Sequence, residues 1–573
     1  MSHQHLDPEA QPAAEHPVLV VGAGPVGCTV ALLLADFGIP VTLLERHATP
    51  HPLPRAVHLD DEVARTLGRV GVSDSFLARS RPASGLRLLD AGHRVLGEFR
   101  RDCQPGINGF PQANMFDQPD LEQLLLSRVR HHPMITMHRQ AHVCGLDGAS
   151  GSVSGAPVRL HTRLGDDSPH TFTGSMVLGC DGANSTVREL VGIPMQDLGF
   201  TETWLVVDVD ADTVLDTWDG VEQICDPARA ATFMHVSGRR YRWEFQLRSG
   251  EDQAALTTPQ ALGQLLRPWT GRNDLAGLTV VRSASYTFRA RVASQFQSGR
   301  VFLLGDAAHL TPPFIGQGLG AGLRDAENFA WKIAHVLIGQ AGEDLLRTYD
   351  IERRPHARAM VKKAVRIGWA MTGGQDRAAA VRRVAVAAVV RSARIRDVIA
   401  STATPRLKSG ALERAPRLPR SLTGTAVRTG RLIPNPLVTT DDETPVRLDT
   451  LLRGRTAVLT AGQPTAELVD LCRQHRLLLI RLSGPSTAEG WTRSGSAGDV
   501  GWIDVRLVDN AEHPILRTLT HNPALTVLVR PDRVIAAIDT QARLPRLPWN
   551  IPARCVRALE CASPTPRTRP AVP

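Results

Sequence analysis

A short apolar run, Pro17-Val18-Leu19-Val20-Val21, stops at a glycine-rich turn; residues 26–37 then carry helical spacing and residues 41–45 a second apolar run. That order predicts a complete β-α-β unit. Residues 121–131 have helical spacing after Asp117-Gln118-Pro119. Residues 158–178 alternate as a hairpin turning at Gly165-Asp166-Asp167 and leading into a strand at 175–178. From about 195 to 290 the pattern changes to in-and-out alternation, at 204–209 and 242–247, interrupted by a helical piece at 259–266, which predicts a sheet-based insertion. Residues 301–304 read as a buried strand, 320–338 as a long helix, and 344–401 as further helix with basic faces. Pro405, Pro416, Pro419, Pro434 and Pro436 mark residues 403–447 as a linker. Strand and helix patterns at 456–459, 467–475, 477–482, 526–529 and 534–538 then predict a small α/β domain, with no internal repeat.

Length and composition narrow the class. A chain of 573 residues exceeds one compact core, and about three to four domains are expected. Apolar content of 42% and charged content of 21% suit a water-soluble globular protein. The net charge of +9 is modest, and its basic cluster (Arg353, Arg354, Arg358, Lys362, Lys363, Arg366) reads as a solvated helix face; no nucleic-acid-binding signature accompanies it. The eight cysteines form no CxxC and no regular ladder, which argues against structural zinc and a disulfide scaffold and suits reduced thiols in the cytoplasm. Residues 1–16 read as a disordered leader, polar rather than secretory, and no run of apolar residues is long enough to span a membrane.

Three separated segments carry the chemistry. In Gly22-Ala23-Gly24-Pro25-Val26-Gly27 the first glycine permits the tight turn, the second lets backbone approach a pyrophosphate, and the third lets helix pack on strand. The helix start offers unpaired N–H groups and a positive field to phosphate. Glu45, ending the second strand, is placed to accept from an adenosine ribose hydroxyl. This unit suits FAD and NAD alike. The segments Cys180-Asp181-Gly182-Ala183-Asn184-Ser185 and Gly305-Asp306-Ala307-Ala308-His309 narrow the choice to FAD. Singly, Asp181 also fits an ordinary turn and Asp306 a helix N-cap.

With these segments the chain resembles the class A flavin-dependent aromatic hydroxylases, and "PRAVHLDDE", "NMFDQPDLE", "GQGLGAGLRDAENFAWKI" and "YDIERRPHARAM" place it nearest the 3-(3-hydroxyphenyl)propionate hydroxylase group. The resemblance implies an α/β protein. A Rossmann-like FAD-binding domain at 17–194 and 291–402 is interleaved with an α+β substrate domain at 195–290, with contributions from about 80–115. A thioredoxin-like domain without CxxC follows at 448–573. It further implies an FAD site drawn from Gly22, Gly24, Pro25, Gly27, Glu45, Arg46, Arg55, Gln118, Asp181, Gly305, Asp306, Gly316, Gly318 and Leu319. Arg55 is implied to reach the phosphates and Gln118 the ribityl chain, a role as partner to the N-cap of the following helix remaining open for Gln118. The loop Thr311 to Gly318 would run under the flavin, with the next helix start facing N1 and O2 of the ring. Pro313 would lend its carbonyl near the hydroxylated position. Gly320 departs from the family, where asparagine is common.

The activity implied is insertion of one oxygen atom of O2 into a phenolic ring, with NADH or NADPH as reductant, through a flavin C4a-hydroperoxide. The 3-(3-hydroxyphenyl)propionate or 3-hydroxycinnamate acids and their 2,3-dihydroxy products are the first expectation. A related monooxygenase acting on another phenol, a polyketide or an antibiotic, and a non-catalytic FAD-binding protein, are the alternatives. A flavin halogenase lacks its WxWxIP segment here. His58 is a candidate acid/base group, and Arg239, Arg240, Tyr241 and Arg242 are candidates for the substrate, Arg240 to pair with a carboxylate. No metal, nucleic-acid or membrane partner is expected; the sequence leaves the oligomeric state open, a homodimer among the options.

Overall fold

A computed structural model describes residues 16–50, 55–372 apart from 154, 227 and 249, then 405–407, 412, 428–440, 444–484, 502–509 and 513–541. The expected leader and the helical pattern from 373 onward lie outside the described residues.

The first unit forms where the apolar runs predict. Val18–Val21 is wholly buried, so it takes the centre of a sheet covered on both faces. Helix Pro25–Asp36 opens with proline at its first position, where no N–H is missed. Val41–Glu45 pairs in parallel with Val18–Val21, completing the crossover. The sheet runs Gln297–Ser298, Val301–Leu303, Met176–Gly179, Val18–Val21, Val41–Glu45, Ile135–Arg139, and every pair but the first is parallel. Met176–Gly179 thus lies between two strands from distant parts of the chain and holds both in one register: Val21 faces Gly179, and Gly179 faces Leu303. The hairpin Val158–Arg163 and Pro169–Gly174 turns through Asp167 at φ +62 and delivers the chain into Met176–Gly179.

A second sheet of eight strands crosses beside the first: His309–Leu310, Leu278–Ala293, Met195–Ala211, Arg240–Gln246, Ala231–Ser237, Val221–Ile224, Gly85–Leu89 and Val95–Arg100. Its two longest strands exceed the alternating stretches read from the sequence, because each continues past a register shift, between Asp197 and Thr201 and between Asp208 and Val209. One face is closed by helix Pro259–Thr270, and Phe233, Tyr241, Trp243 and Trp269 pack in that layer. A small sheet of His58–Asp60, Ala113–Met115 and Arg81–Pro82 links the loop after Arg55 to the large one.

Helices Gly318–Leu337 and Asp344–Thr372 cover the parallel sheet. The basic stretch of the second is only partly the solvated face expected: Arg353 is 2% exposed and pairs with Asp325 at 2.7 Å. The seven-stranded C-terminal sheet runs Val446–Arg447, Leu437–Thr439, Ile503–Leu507, Leu478–Ser483, Ala457–Thr460, Leu525–Val529, Ile535–Thr540. Two of these strands, and the buried Ile433, come from the stretch read as linker. Pro434 and Pro436 precede a paired strand there: Leu437–Thr439 finds its partner in Ile503–Leu507, which sequence spacing does not reveal. Among the described residues no helix is long and apolar enough to cross a membrane and no group of side chains is set to hold a metal ion.

Candidate active site

Because three neighbouring strands run in parallel, the segments that follow them emerge at one edge. Gly22 follows Val18–Val21, Cys180-Asp181 follows Met176–Gly179, and Gly305-Asp306 follows Val301–Leu303 with one residue between. Ligands of open α/β sheets bind at this carboxyl edge. Gly22 sits at φ +100, and a β-carbon on it would fall 2.5 Å from the Cys180 carbonyl oxygen. At Gly27 a β-carbon would strike the Gly22 carbonyl at 1.8 Å, so the helix can lie this close to the turn only with glycine. At Gly24 it would meet nothing within 4 Å: the backbone there faces open space. Pro25 supplies no N–H, and the helix start has no side-chain cap, leaving its remaining N–H groups to an anion.

Other expected residues divide into those facing the opening and those holding it. Asp306 is open to water through the crevice yet deep among protein atoms; burial raises its carboxyl pKa, and it has no hydrogen-bond partner among the described residues. The exposed Arg55 acts on Asp306 and on Glu122 without an ion pair to either. Arg46, also exposed, donates to His47 Nε2 at 3.0 Å. Glu45 is tied down: one carboxylate oxygen accepts from Ala23 N–H at 2.9 Å and the other from His47 N–H at 2.8 Å, which braces the glycine turn and leaves two lone-pair positions for a ribose. Asp181 accepts from Ser185 Oγ at 2.5 Å and Val187 N–H at 3.0 Å, anchoring helix Thr186–Leu190. Gln118 is buried, accepts from Ala56 N–H at 2.7 Å and donates to Glu122 at 2.6 Å. It therefore fastens the loop after Arg55, and the N-cap partnership left open for it is not formed.

The loop 311–318 is set by contacts the sequence did not disclose. Gly316 lies at φ +59, and Gly316 N–H donates to the Pro313 carbonyl at 2.7 Å, so that carbonyl already closes a turn. Arg324 donates to Gln317 Oε1 at 3.0 Å and to Asp60 at 2.6 Å, clamping the start of helix Gly318–Leu337. A β-carbon at Gly320 would lie 3.0 Å from Arg324 Nη1, a tight approach that the arginine side chain would have to yield to. Leu319 packs on the main core beneath, and Gly318 has an uncrowded Cα. Phe314 meets Phe200 edge-on at 5.6 Å and Trp204 at 5.9 Å, walling the loop with aromatic rings. Thr311 Oγ1 is buried without a partner.

Two sequence assignments are corrected. Arg240 is not a free cation: Nε meets Asp210 at 2.6 Å and Nη1 meets Asp117 at 3.2 Å. Its neighbours are equally occupied. Arg242 pairs with the fully buried Asp208 at 2.7 Å and donates to the Arg55 carbonyl, exposed Arg239 donates to the Asp212 carbonyl, and Tyr241 Oη accepts from Leu215 N–H. Alternation along a strand showed the arginines but not the aspartates opposite them. His58 is not poised as an acid/base group. Burial, and then the charge of Arg101, lower its pKa to about 4; Arg101 Nη1 lies 3.5 Å from Nε2, and Nδ1 lies 3.3 Å from the Gly316 carbonyl. The neutral ring thus links Arg101 to the loop.

The open backbone at Gly24, the unpartnered Asp306 and Thr311, and a bare helix start on one edge fit a dinucleotide with a polyol chain, which is the chemistry of FAD. A family model described as an FAD binding domain matches residues 15–364, and one described as the HcaD C-terminal domain matches residues 430–552. A 3-(3-hydroxy-phenyl)propionate/3-hydroxycinnamic acid hydroxylase of Mycolicibacterium smegmatis is 32% identical over 547 residues, covering 92% of each chain. A probable NADH-specific resorcinol 4-hydroxylase of Rhodococcus jostii is 34% identical over 376 residues, covering 66% of this chain and 69% of the relative. The fold is also that of aklavinone-11 hydroxylase solved with FAD and aklavinone, at TM-score 0.72, 24% identity and 96% and 98% coverage of this chain and that one. The flavin-dependent monooxygenase PieE matches at TM-score 0.73, 21% identity and 95% and 99% coverage. The chain belongs to the FAD-binding-domain family and is an FAD-dependent aromatic hydroxylase.

Proposed function

We propose that this enzyme hydroxylates the ring of a phenolic aromatic acid of the 3-(3-hydroxyphenyl)propionate or 3-hydroxycinnamate type, at the expense of NADH or NADPH, to the 2,3-dihydroxy product. The observation that carries the substrate class is the match, over 92% of both chains, to relatives named for those acids. The resorcinol relative supports a nicotinamide reductant. FAD, when bound, supplies the electron transfer and oxygen activation.

The chain's own residues supply place and environment. The helix start after Gly24 meets phosphate charge, Asp306 accepts from a polyol hydroxyl, and Arg55 stands where a phosphate can pair with it. The start of helix Gly318–Leu337 has no side-chain cap, and its positive field end would favour negative charge on a flavin held against the loop 311–318. Phe314, Phe200 and Trp204 keep water from the loop, where a desolvated surrounding strengthens each electrostatic contact. The seven-stranded C-terminal sheet, three parallel strands with two antiparallel ones on either side, is part of this proposal as a thioredoxin-like packing unit without redox duty. Its Cys472 is buried and its thiol pKa is pushed up to about 12. Turnover of 3-(3-hydroxyphenyl)propionate, 3-hydroxycinnamate, resorcinol and a polycyclic phenol, compared by nicotinamide consumption and product mass, tests the substrate class. Preference for the polycyclic compound would refute it.

A further inference from the structure

Resting on that reading and sharpening it, the geometry points to Arg101, supported by Lys363, as the anchor for the carboxylate of the aromatic substrate.

The arginines of the large sheet that the sequence offered for this task are neutralised by aspartates, as described for Arg240 and Arg242. Arg101 and Lys363 differ. Arg101 is largely withdrawn from water and Lys363 half-buried, which lowers the pKa of each, and the charge of Arg101 lowers that of Lys363 further. Neither makes an ion pair among the described residues; the only side-chain hydrogen bond of Arg101 is the one to neutral His58. The carboxylates that act on Arg101 at longer range, Asp60 and Asp61, are otherwise committed. Asp60 pairs with Arg324 at 2.6 Å. Asp61 accepts from Asn108 at 3.0 Å, and burial, with Asp60 alongside, raises its pKa to about 7. A buried cation beside a half-buried one, neither with a counter-ion, destabilises a site until an anion arrives.

The surroundings define that anion. Through His58, Arg101 reaches the Gly316 carbonyl of the loop 311–318. Lys363 lies on helix Asp344–Thr372, whose Gly368 has space for no side chain because the Phe314 ring would be 2.2 Å from a β-carbon. Leu88 and Phe99 of the large sheet, and Cys225 just past its strand Val221–Ile224, form one apolar cluster with Phe314 and Ile367. Cations thus border an apolar floor beside the aromatic wall of the loop. That pairing suits a molecule with an aryl ring at one end and a carboxylate at the other.

The test uses the FAD-loaded enzyme and two ligands of equal length, 3-(3-hydroxyphenyl)propionate and the neutral 3-(3-hydroxyphenyl)propan-1-ol, with Kd read by calorimetry and KM by turnover. Arg101→Met is expected to weaken the acid about 10- to 100-fold, the size of a charge-assisted hydrogen bond. The alcohol should move less than about twofold by the same measure. Arg101→Lys should recover part of the loss, and Lys363→Met should show the same selectivity to a smaller degree, which keeps the test open if Arg101→Met does not fold. Equal weakening of acid and alcohol in both variants overturns the proposal. So does an effect confined to the KM of NADH or NADPH, which would assign the cations to the nicotinamide phosphates. Should the wild type hydroxylate the alcohol as efficiently as the acid, the anchor fails while ring hydroxylation stands; should neither phenol turn over, the functional reading itself fails.

Discussion

His309 Nε2 lies 2.7 Å from Asp325 Oδ2, and both side chains are completely withdrawn from water. The same carboxylate accepts from Gly305 N–H at 3.0 Å and pairs with Arg353 at 2.7 Å, so it holds the Gly305-Asp306 turn from beneath. Arg188 does the same laterally, donating to the Ala307 carbonyl at 3.0 Å and the Ala183 carbonyl at 3.1 Å, which joins two of the three nucleotide segments. Substituting Asp325→Ala leaves Arg353 as an unpaired buried cation. It should lower stability by about 3–5 kcal/mol and leave most of the protein without FAD. Thermal unfolding and the flavin-to-protein ratio check this; wild-type values for both would contradict the role given to Asp325.

Asp306 separates binding from folding. Its carboxylate has no protein partner to lose, so Asp306→Ala should keep the melting temperature of the cofactor-free protein while giving largely colourless material. A normally yellow Asp306→Ala protein would remove Asp306 from the cofactor site.

The glycine turn, the parallel unit and the aspartates at 181 and 306 were legible in the sequence because each answers a local demand. Gly22 and Gly27 are dictated by atoms within a few residues or on the adjacent strand. The supporting network was not legible, since its members meet only through the fold. Asp325 gathers Gly305, His309 and Arg353, and Arg324 reaches back to Asp60 across 264 positions. Arg240 misled for the same reason: its basic run is visible in one dimension, while Asp210 stands 30 residues away on the facing strand. Arg101 carried no signal at all, because what marks it is the lack of a counter-ion.

The C-terminal unit is joined to the cofactor domain by a buried ionic cluster. Glu352 accepts from Arg530 at 2.8 and 2.9 Å, from Lys332 at 2.8 Å and from Asn328 at 2.8 Å; Asp532 closes the cluster on Arg530 and Asn328. Although burial alone would raise it, Arg530 and then Lys332 hold the Glu352 carboxyl well below its ordinary range. A carboxylate depressed in the folded state contributes stability above its unfolded pKa of about 4.3 and loses it as pH falls. Glu352→Gln should therefore cost about 3–5 kcal/mol near neutral pH and flatten the acid limb of the stability curve. An unchanged acid limb would contradict this assignment.

His58 answers to the opposite sign. Its folded pKa of about 4 lies below the ordinary histidine value, so its protonation opposes folding, and the loss of stability develops as pH falls from about 6.5 toward 4. Across about pH 5.5 to 8 the ring stays neutral, and His58→Asn should leave every ionisation in the kcat/KM profile over that range where it was. Disappearance of such an ionisation would restore His58 as an acid/base group.

The most direct test of the whole account is a single preparation of the purified chain, assayed with NADH or NADPH in the presence and absence of 3-(3-hydroxyphenyl)propionate. Yellow protein holding one FAD per chain, nicotinamide oxidation stimulated by the acid, and a product heavier by one oxygen atom are predicted. Colourless protein that takes up no FAD, or nicotinamide oxidation that the acid does not stimulate and that leaves it unaltered, would contradict it.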